Sequence, residues 1–282
     1  GGGDKTWQWL DATDSWTSSE HIRIPDNKVF GFASDLNTYI GRPAADTIAF
    51  THGGTEKLRI TSEGNLEQTL STEAQGFKQT NANNHYIYNI IDANRSTAND
   101  HILIQQGRWN GKNVAAMKFR AGSDTSNKDD GHITFETSSA NNQTERLRID
   151  SSGRLIVGAV SSNNVGAFGG AALQVEGLNA ATSAFSIIRH SADTVGSSIL
   201  MGKTRGTSDG ATTVVQDDDV CARIIAYGAD GTDTESSLGA IQFDVDGTPG
   251  SNDMPGRIVF STTPDGAATY TERLRITSGG NL

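Results

Sequence analysis

Disulfides, long apolar runs and stretches of basic charge are what this sequence conspicuously lacks. Cys221 is the only cysteine in 282 residues, so no disulfide can form within the chain. A small cystine-stapled scaffold is thereby excluded, though an extracellular location is not. Five prolines and 32 glycines without a Gly-x-y period rule out collagen and proline-rich disorder. No apolar run approaches the roughly 20 residues of a membrane helix. No run of lysine or arginine is present and the net charge is −10, so a phosphate-tracking groove for nucleic acid is not expected. Gly1-Gly2-Gly3-Asp4 is no signal peptide, and the chain stops on Leu282 at the end of a repeat copy. We therefore expect a piece of a longer polypeptide.

What is present is a repeat. Thr55 to Leu66, Thr144 to Leu155 and Thr271 to Leu282 align without gaps, and eight of twelve positions are identical in all three. Glu145-Arg146-Leu147-Arg148-Ile149-Asp150 alternates, with Leu147 and Ile149 expected on one face and the arginines on the other. That is the period of a half-buried strand. Ser152-Gly153 follows, then Leu155-Ile156-Val157, so the unit reads as a hairpin turned by a glycine that can adopt positive φ. The repeat residues expected to carry the architecture are Glu56, Leu58, Arg59, Ile60 and Gly64 in the first copy. Their counterparts are Glu145, Leu147, Arg148, Ile149 and Gly153, then Glu272, Leu274, Arg275, Ile276 and Gly280. The arginines are expected to pair with the motif glutamates across strands or across chains.

The repeat extends upstream. Ile48-Ala49-Phe50, Ile133-Thr134-Phe135 and Ile258-Val259-Phe260 precede the copies. Met117-Lys118-Phe119 and Ile241-Gln242-Phe243 stand one strand earlier. Ile90-Ile91 and Ile102-Leu103 match Ile187-Ile188 and Ile199-Leu200, each pair twelve residues apart. The third unit then carries about 28 extra residues, roughly 205–233, which include a strand at Ala222-Arg223-Ile224-Ile225-Ala226-Tyr227. The implied organisation is an N-terminal module over 1–66 with a Trp cluster, a second over 67–158, and a longer third over 159–282. The fold class expected is all-β, built of repeated β-hairpin or β-sandwich-like modules. No twelve-residue segment has helical periodicity; residues 170–184 allow at most a short helix.

Few residues suggest chemistry. No nucleotide loop or His-Glu-x-x-His motif occurs, and the six histidines are scattered. Asp217-Asp218-Asp219 is the best candidate for a cation such as Ca²⁺, although acidic loops are usually just solvated. Trp7, Trp9 and Trp16 form either a small aromatic core or a stacking surface for sugar rings. Cys221 is read as a small buried hydrophobe on a strand. No catalytic residues and no cofactor are expected.

Thr-Glu-Arg-Leu-Arg-Ile-Asp-Ser-Ser-Gly at 144–153 resembles the repeat of tail-fibre and other virion structural proteins of tailed bacteriophages, marine ones especially. The stretch from Asp246 to Thr263 and the Asp46-Thr47-Ile48-Ala49-Phe50 string resemble it too. The resemblance implies an elongated homotrimeric appendage with intertwined chains. It also implies a virion, extracellular location. The partners implied are the chain itself, other tail proteins, and a host cell-surface glycan or protein receptor. Such fibres often end in a self-cleaving chaperone domain, and nothing here matches one. Short, apolar-poor units also need neighbours on physical grounds. The alternatives are a carbohydrate-binding module, or a polysaccharide depolymerase using paired carboxylates.

Overall fold

A computed structural model describes residues 28–69, 77–80, 86–166 and 169–282, together with the backbone of 7–10 and 15–18. The Ile22-Arg23-Ile24 segment and His21 and His85 lie outside the described residues. The chain divides into two compact units, Gly1–Asn89 and Ile90–Leu282.

In the first unit, β1 (Trp7–Leu10) and β2 (Ser15–Ser18) form an antiparallel hairpin. A five-stranded antiparallel meander follows: β3 (Val29–Phe32), β4 (Asp35–Gly41), β5 (Ile48–His52), β6 (Thr55–Ile60) and β7 (Leu66–Gln68). In the second unit, β8 (His101–Trp109), β9 (Lys112–Ala121), β10 (Gly131–Ser139), β11 (Asn142–Ile149) and β12 (Leu155–Val157) form the same kind of meander, and β13 (Leu173–Val175) adds to it in parallel. A four-stranded sheet completes the unit: β14 (Val220–Gly228), β15 (Ser236–Val245), β16 (Gly256–Thr262) and β17 (Thr271–Ile276). The described residues contain no helix, and the all-β expectation holds. Residues 170–184 carry a strand instead of a helical turn. There, Gln174 donates to the Asn163 carbonyl while Leu173 pairs with Leu155, interactions that hold the backbone extended.

Adjacent strands are sequence neighbours throughout: all pair antiparallel across polar turns and loops, except β12 and β13, which pair in parallel through a crossover. Each sheet is a single layer: every substantial strand–strand contact lies within one sheet. The two sheets of the second unit are joined by the crossover ahead of β13. Gly166 donates its amide to the Thr234 carbonyl, and Thr234 Oγ1 donates to the Asn164 carbonyl. Gly166 is required here. Its φ is +71°, and a Cβ would fall 2.4 Å from Tyr227 Cζ.

Cross-strand pairing arranges the apolar residues in rows. Phe30, Ile40, Phe50 and Leu58 stand side by side across four strands of the first sheet. Leu103, Phe119, Ile133, Ile149, Leu155 and Leu173 cross all six strands of the second. Ile224, Ile241, Phe260 and Leu274 cross the third. The burial of these rows is the reverse of what alternation suggests. Phe50 is 38% exposed and Leu274 43%, whereas the residues between them in the pattern, Ala49, Thr51, Thr134, Glu136, Val259 and Ser261, are buried. Small residues on the polar face are covered by their long charged neighbours in the same sheet. Among the described residues no strand of another sheet makes a substantial contact with the apolar face.

Candidate functional site

The repeated motif builds the same object three times. Phe50 stands opposite Leu58 but Thr51 opposite Glu56, so Lys57 is an extra residue, a β-bulge. Phe135 faces Leu147 while Glu136 faces Glu145, and Arg146 is extra. Phe260 faces Leu274 while Ser261 faces Glu272, and Arg273 is extra. In a regular strand, residues three apart point to opposite faces. One inserted residue brings them to the same face. The motif Glu and Arg therefore meet within their own strand. Arg59 grips Glu56 at 2.7 and 2.6 Å, Arg148 grips Glu145 at 2.6 and 3.0 Å, and Arg275 grips Glu272 at 2.6 and 2.7 Å. This corrects the expected pairing across strands or chains. It also corrects the idea that both motif arginines share one role: the bulged ones turn to a hydroxyl, Arg146 Nε to Thr137 and Arg273 Nε to Thr262. The Arg59 and Arg275 hydrogen bonds hold the carboxyls of Glu56 and Glu272 below the usual range.

The turn is equally uniform. Gly64, Gly153 and Gly280 have φ of 82°, 76° and 78°. Each donates its amide to the carbonyl three residues back, at Thr61, Asp150 and Thr277, at 2.9 Å. The side-chain oxygen of that same residue accepts the amide of the residue after the glycine, at 3.1, 3.0 and 3.1 Å. Thr and Asp alternate at this position because either supplies an oxygen of the right reach.

On the covered polar face of the second sheet, Glu136 binds Lys118 at 2.6 Å and Arg120 at 3.0 Å. Burial works to raise its pKa, and the two cations overcome this and hold it below the carboxylate range. Arg120 stands between His101 on β8 and His132 on β10 in one cross-strand row. The Nε2 atoms of both histidines are buried without a hydrogen-bond partner. Burial lowers both pKa values, reinforced by Arg120 at His101 and by Arg148 at His132.

The Asp217-Asp218-Asp219 run does not converge. Asp217 accepts the Gly247 amide at 2.6 Å, and Asp218 meets Arg257 at 2.6 Å. Asp219 takes Lys203 and Arg205, each at 2.7 Å, and the Gln216 amide. Its pKa is pushed far down, first by Arg205. The run is a joint that ties the inserted segment to the end of β15. Among the described residues no group of three or more His, Cys, Asp or Glu side chains is placed to hold a metal ion. Cys221 is the bulged residue between Val220 and Ala222 and is half-exposed, not buried as expected, because a bulge lifts a side chain out of the regular alternation.

Trp9 stands opposite Trp16 in the β1–β2 register and Trp7 opposite Ser18; their side chains lie outside the described residues. Trp109, which the sequence reading passed over, is 79% exposed beside the β8–β9 turn. Asn110 and Gly111 make that turn with φ of 46° and 75°, and Ala140 and Asn141 make the β10–β11 turn with 50° and 65°. Antiparallel order puts both tips at one end of the sheet, around a cleft of about 400 Å³ lined by Lys112, Asn113, Ser138 and Asn141. The Asn110-Gly111 pair was the available signal for this rigid tip.

No known protein family matches the sequence, and no curated protein matches it. Among solved structures, the carboxy-terminal domain of the bacteriophage T5 L-shaped tail fibre is similar. It has a TM-score of 0.57 and 18% identity over 74% of this chain and 90% of that one. A form of that domain with its intramolecular chaperone gives 0.46 and 16%, over 73% of this chain and 61% of that one. The first likeness shows the fold: an all-β chain of antiparallel sheets like those of a phage tail-fibre domain.

Proposed function

We propose that this chain is a structural segment of a phage tail fibre or related virion appendage, and that it works as a homo-oligomer, a homotrimer by resemblance. The observation that carries this reading is the uncovered apolar rows. The chain exposes 21454 Å². A compact monomer of this mass exposes about 12,000 Å², and two separate compact units about 14,000 Å². The excess, more than about 7,000 Å², exceeds the roughly 2,000–5,000 Å² that one obligate interface buries, so it has room for contacts with more than one neighbouring copy. A non-catalytic role fits the polar side chains, which are spent on one another in ion pairs and turns. Fold likeness to the T5 fibre domain supports a virion location, outside the cell, with other tail proteins and a host surface receptor as partners. Light scattering tests it: a mass of about three chains is expected, and a well-folded monomer at micromolar concentration overturns it.

A second reading, that the chain itself contacts host glycan, is favoured by the hairpin-tip cleft. The amide and ammonium groups of the cleft suit sugar hydroxyls, and the exposed Trp109, which lies outside the cleft lining but pairs across the strands with Lys112, suits the C–H face of a sugar ring. Glycan-array binding lost in Trp109→Ala, with the oligomer intact, is the expected result. Binding to no glycan removes the reading.

A further inference from the structure

In the second sheet, Ile102 and Leu103 belong to β8, and Leu103 begins the six-strand apolar row opposite Phe119. The matching Ile199 and Leu200 belong to no strand. The seat beside Phe243, the counterpart of Phe119, is taken by Ala222 of β14. β14 comes from the extra segment of the third unit. The insertion has thus displaced a strand that the repeat otherwise supplies.

The displaced stretch is part of a longer run with an unusual property. Residues 184–203 contain no proline, and none of them makes a main-chain to main-chain hydrogen bond with another described residue. Two carbonyls are taken by side chains: Ile187 accepts from Ser197 and Val195 from Arg189. The amides of Asp193 and Val195 are also taken, by the Ser191 hydroxyl and the Asp193 carboxylate, and no main-chain group from Ser197 to Lys203 has a hydrogen-bond partner among the described residues. The run also presents Phe185, Ile188 and Leu200, the last 92% exposed, to water. A structureless run of this length with apolar side chains is uncommon inside a folded unit, and unpaired amides and carbonyls are a template for strand pairing. Its far end is not loose. Lys203 and Arg205 clamp it to Asp219 at the foot of β14.

We infer that residues 184–203 pair as strand with a second copy of this chain, along the outer edge of that copy's β14. This rests on the self-association proposed above and names one of its seams. Among the described strands β14 is an edge strand, bonded only to β15, so no described strand occupies its outer side. Each copy has one run to give and one edge to receive, so a head-to-tail contact whose rotation closes would form the ring that the proposed trimer needs. Main-chain bonds would give the seam its strength and alternate side chains its register.

Leu200→Pro tests it. Proline removes an amide that the single chain does not use, so far-ultraviolet circular dichroism should stay unchanged while the oligomer dissociates at least tenfold more readily. Leu200→Val, which keeps the amide, should assemble normally. Independently, cysteine introduced at 199, 200 or 201 should cross-link under a thiol oxidant to the native Cys221 of another copy. That product should vanish in a Cys221→Ser background. An oligomeric parent whose assembly ignores Leu200→Pro and forms no inter-chain cross-link overturns this seam alone. A monomeric parent overturns self-association as well.

Discussion

Single residues are given unequal weight by their surroundings. Glu136 is buried between Lys118 and Arg120, and removing its charge leaves two cations facing each other. We expect Glu136→Gln to cost on the order of 3 kcal/mol in urea denaturation. Its carboxyl has a lowered folded pKa, so its stabilisation is present above about pH 4.5 and is lost as the pH falls through the folded value. His101 and His132 act in a higher window. Their folded pKa values lie below 6.5. Above that pH they are neutral in both states; below it the unfolded chain takes up protons that the folded sheet refuses. Melting temperature should therefore begin to fall near pH 6.5, before any carboxylate titrates. His101→Asn with His132→Asn should flatten this first decline and leave the lower one. An identical slope in the double variant would show that the histidines contribute nothing.

The bulged hairpin is the unit of meaning among the elements. Its bulge sets where the register steps, and a one-residue slip would exchange the two faces of the sheet. Its glycine sets the turn. Gly153 has φ +76° and open space where a Cβ would go, so the cost of a side chain is conformational and not steric. Gly153→Ala should lose about 1 kcal/mol, and Gly153→Asn distinctly less, since Asn tolerates the left-handed region. Urea midpoints of the two variants decide this; equal losses would mean that the φ of the turn is not what selects glycine. Deleting Arg146 removes the bulge and leaves Glu145 and Arg148 two residues apart, on one face of a regular strand, so the sheet signal in circular dichroism should persist; its loss would show that the bulge itself is required.

On the proposed reading, assembly is where the whole molecule becomes stable. The apolar rows run across four strands of the first sheet and across every strand of the other two yet stay half-exposed, and the proposed assembly would cover them with other copies. Stability should then depend on concentration: dilution from 50 µM to 0.5 µM, on the order of a hundredfold, should lower the melting temperature measurably. A concentration-independent melt would mean that each chain is self-sufficient.

Much of this was legible in the sequence because it is local. The strands, the glycine turn, the upstream Ile-x-Phe partners and the extra strand of the third unit follow from period-two alternation and from self-similarity, which a linear string displays. The bulge was not legible. Glu56 and Arg59 stand three apart in a string that alternates, and only register against Phe50 and Thr51 reveals the inserted residue. Nor was the reversal of burial: alternation says which residues share a face, not which face is covered. Whether Asp217, Asp218 and Asp219 converge depended on Arg257, Lys203 and Arg205, which arrive from distant positions. The sequence by itself determined the elements and their order, through propensities and spacings within a dozen residues. The tertiary structure decided pairing, burial and which strand the insertion displaced, because those depend on partners whose separation along the chain carries no signal of their contact.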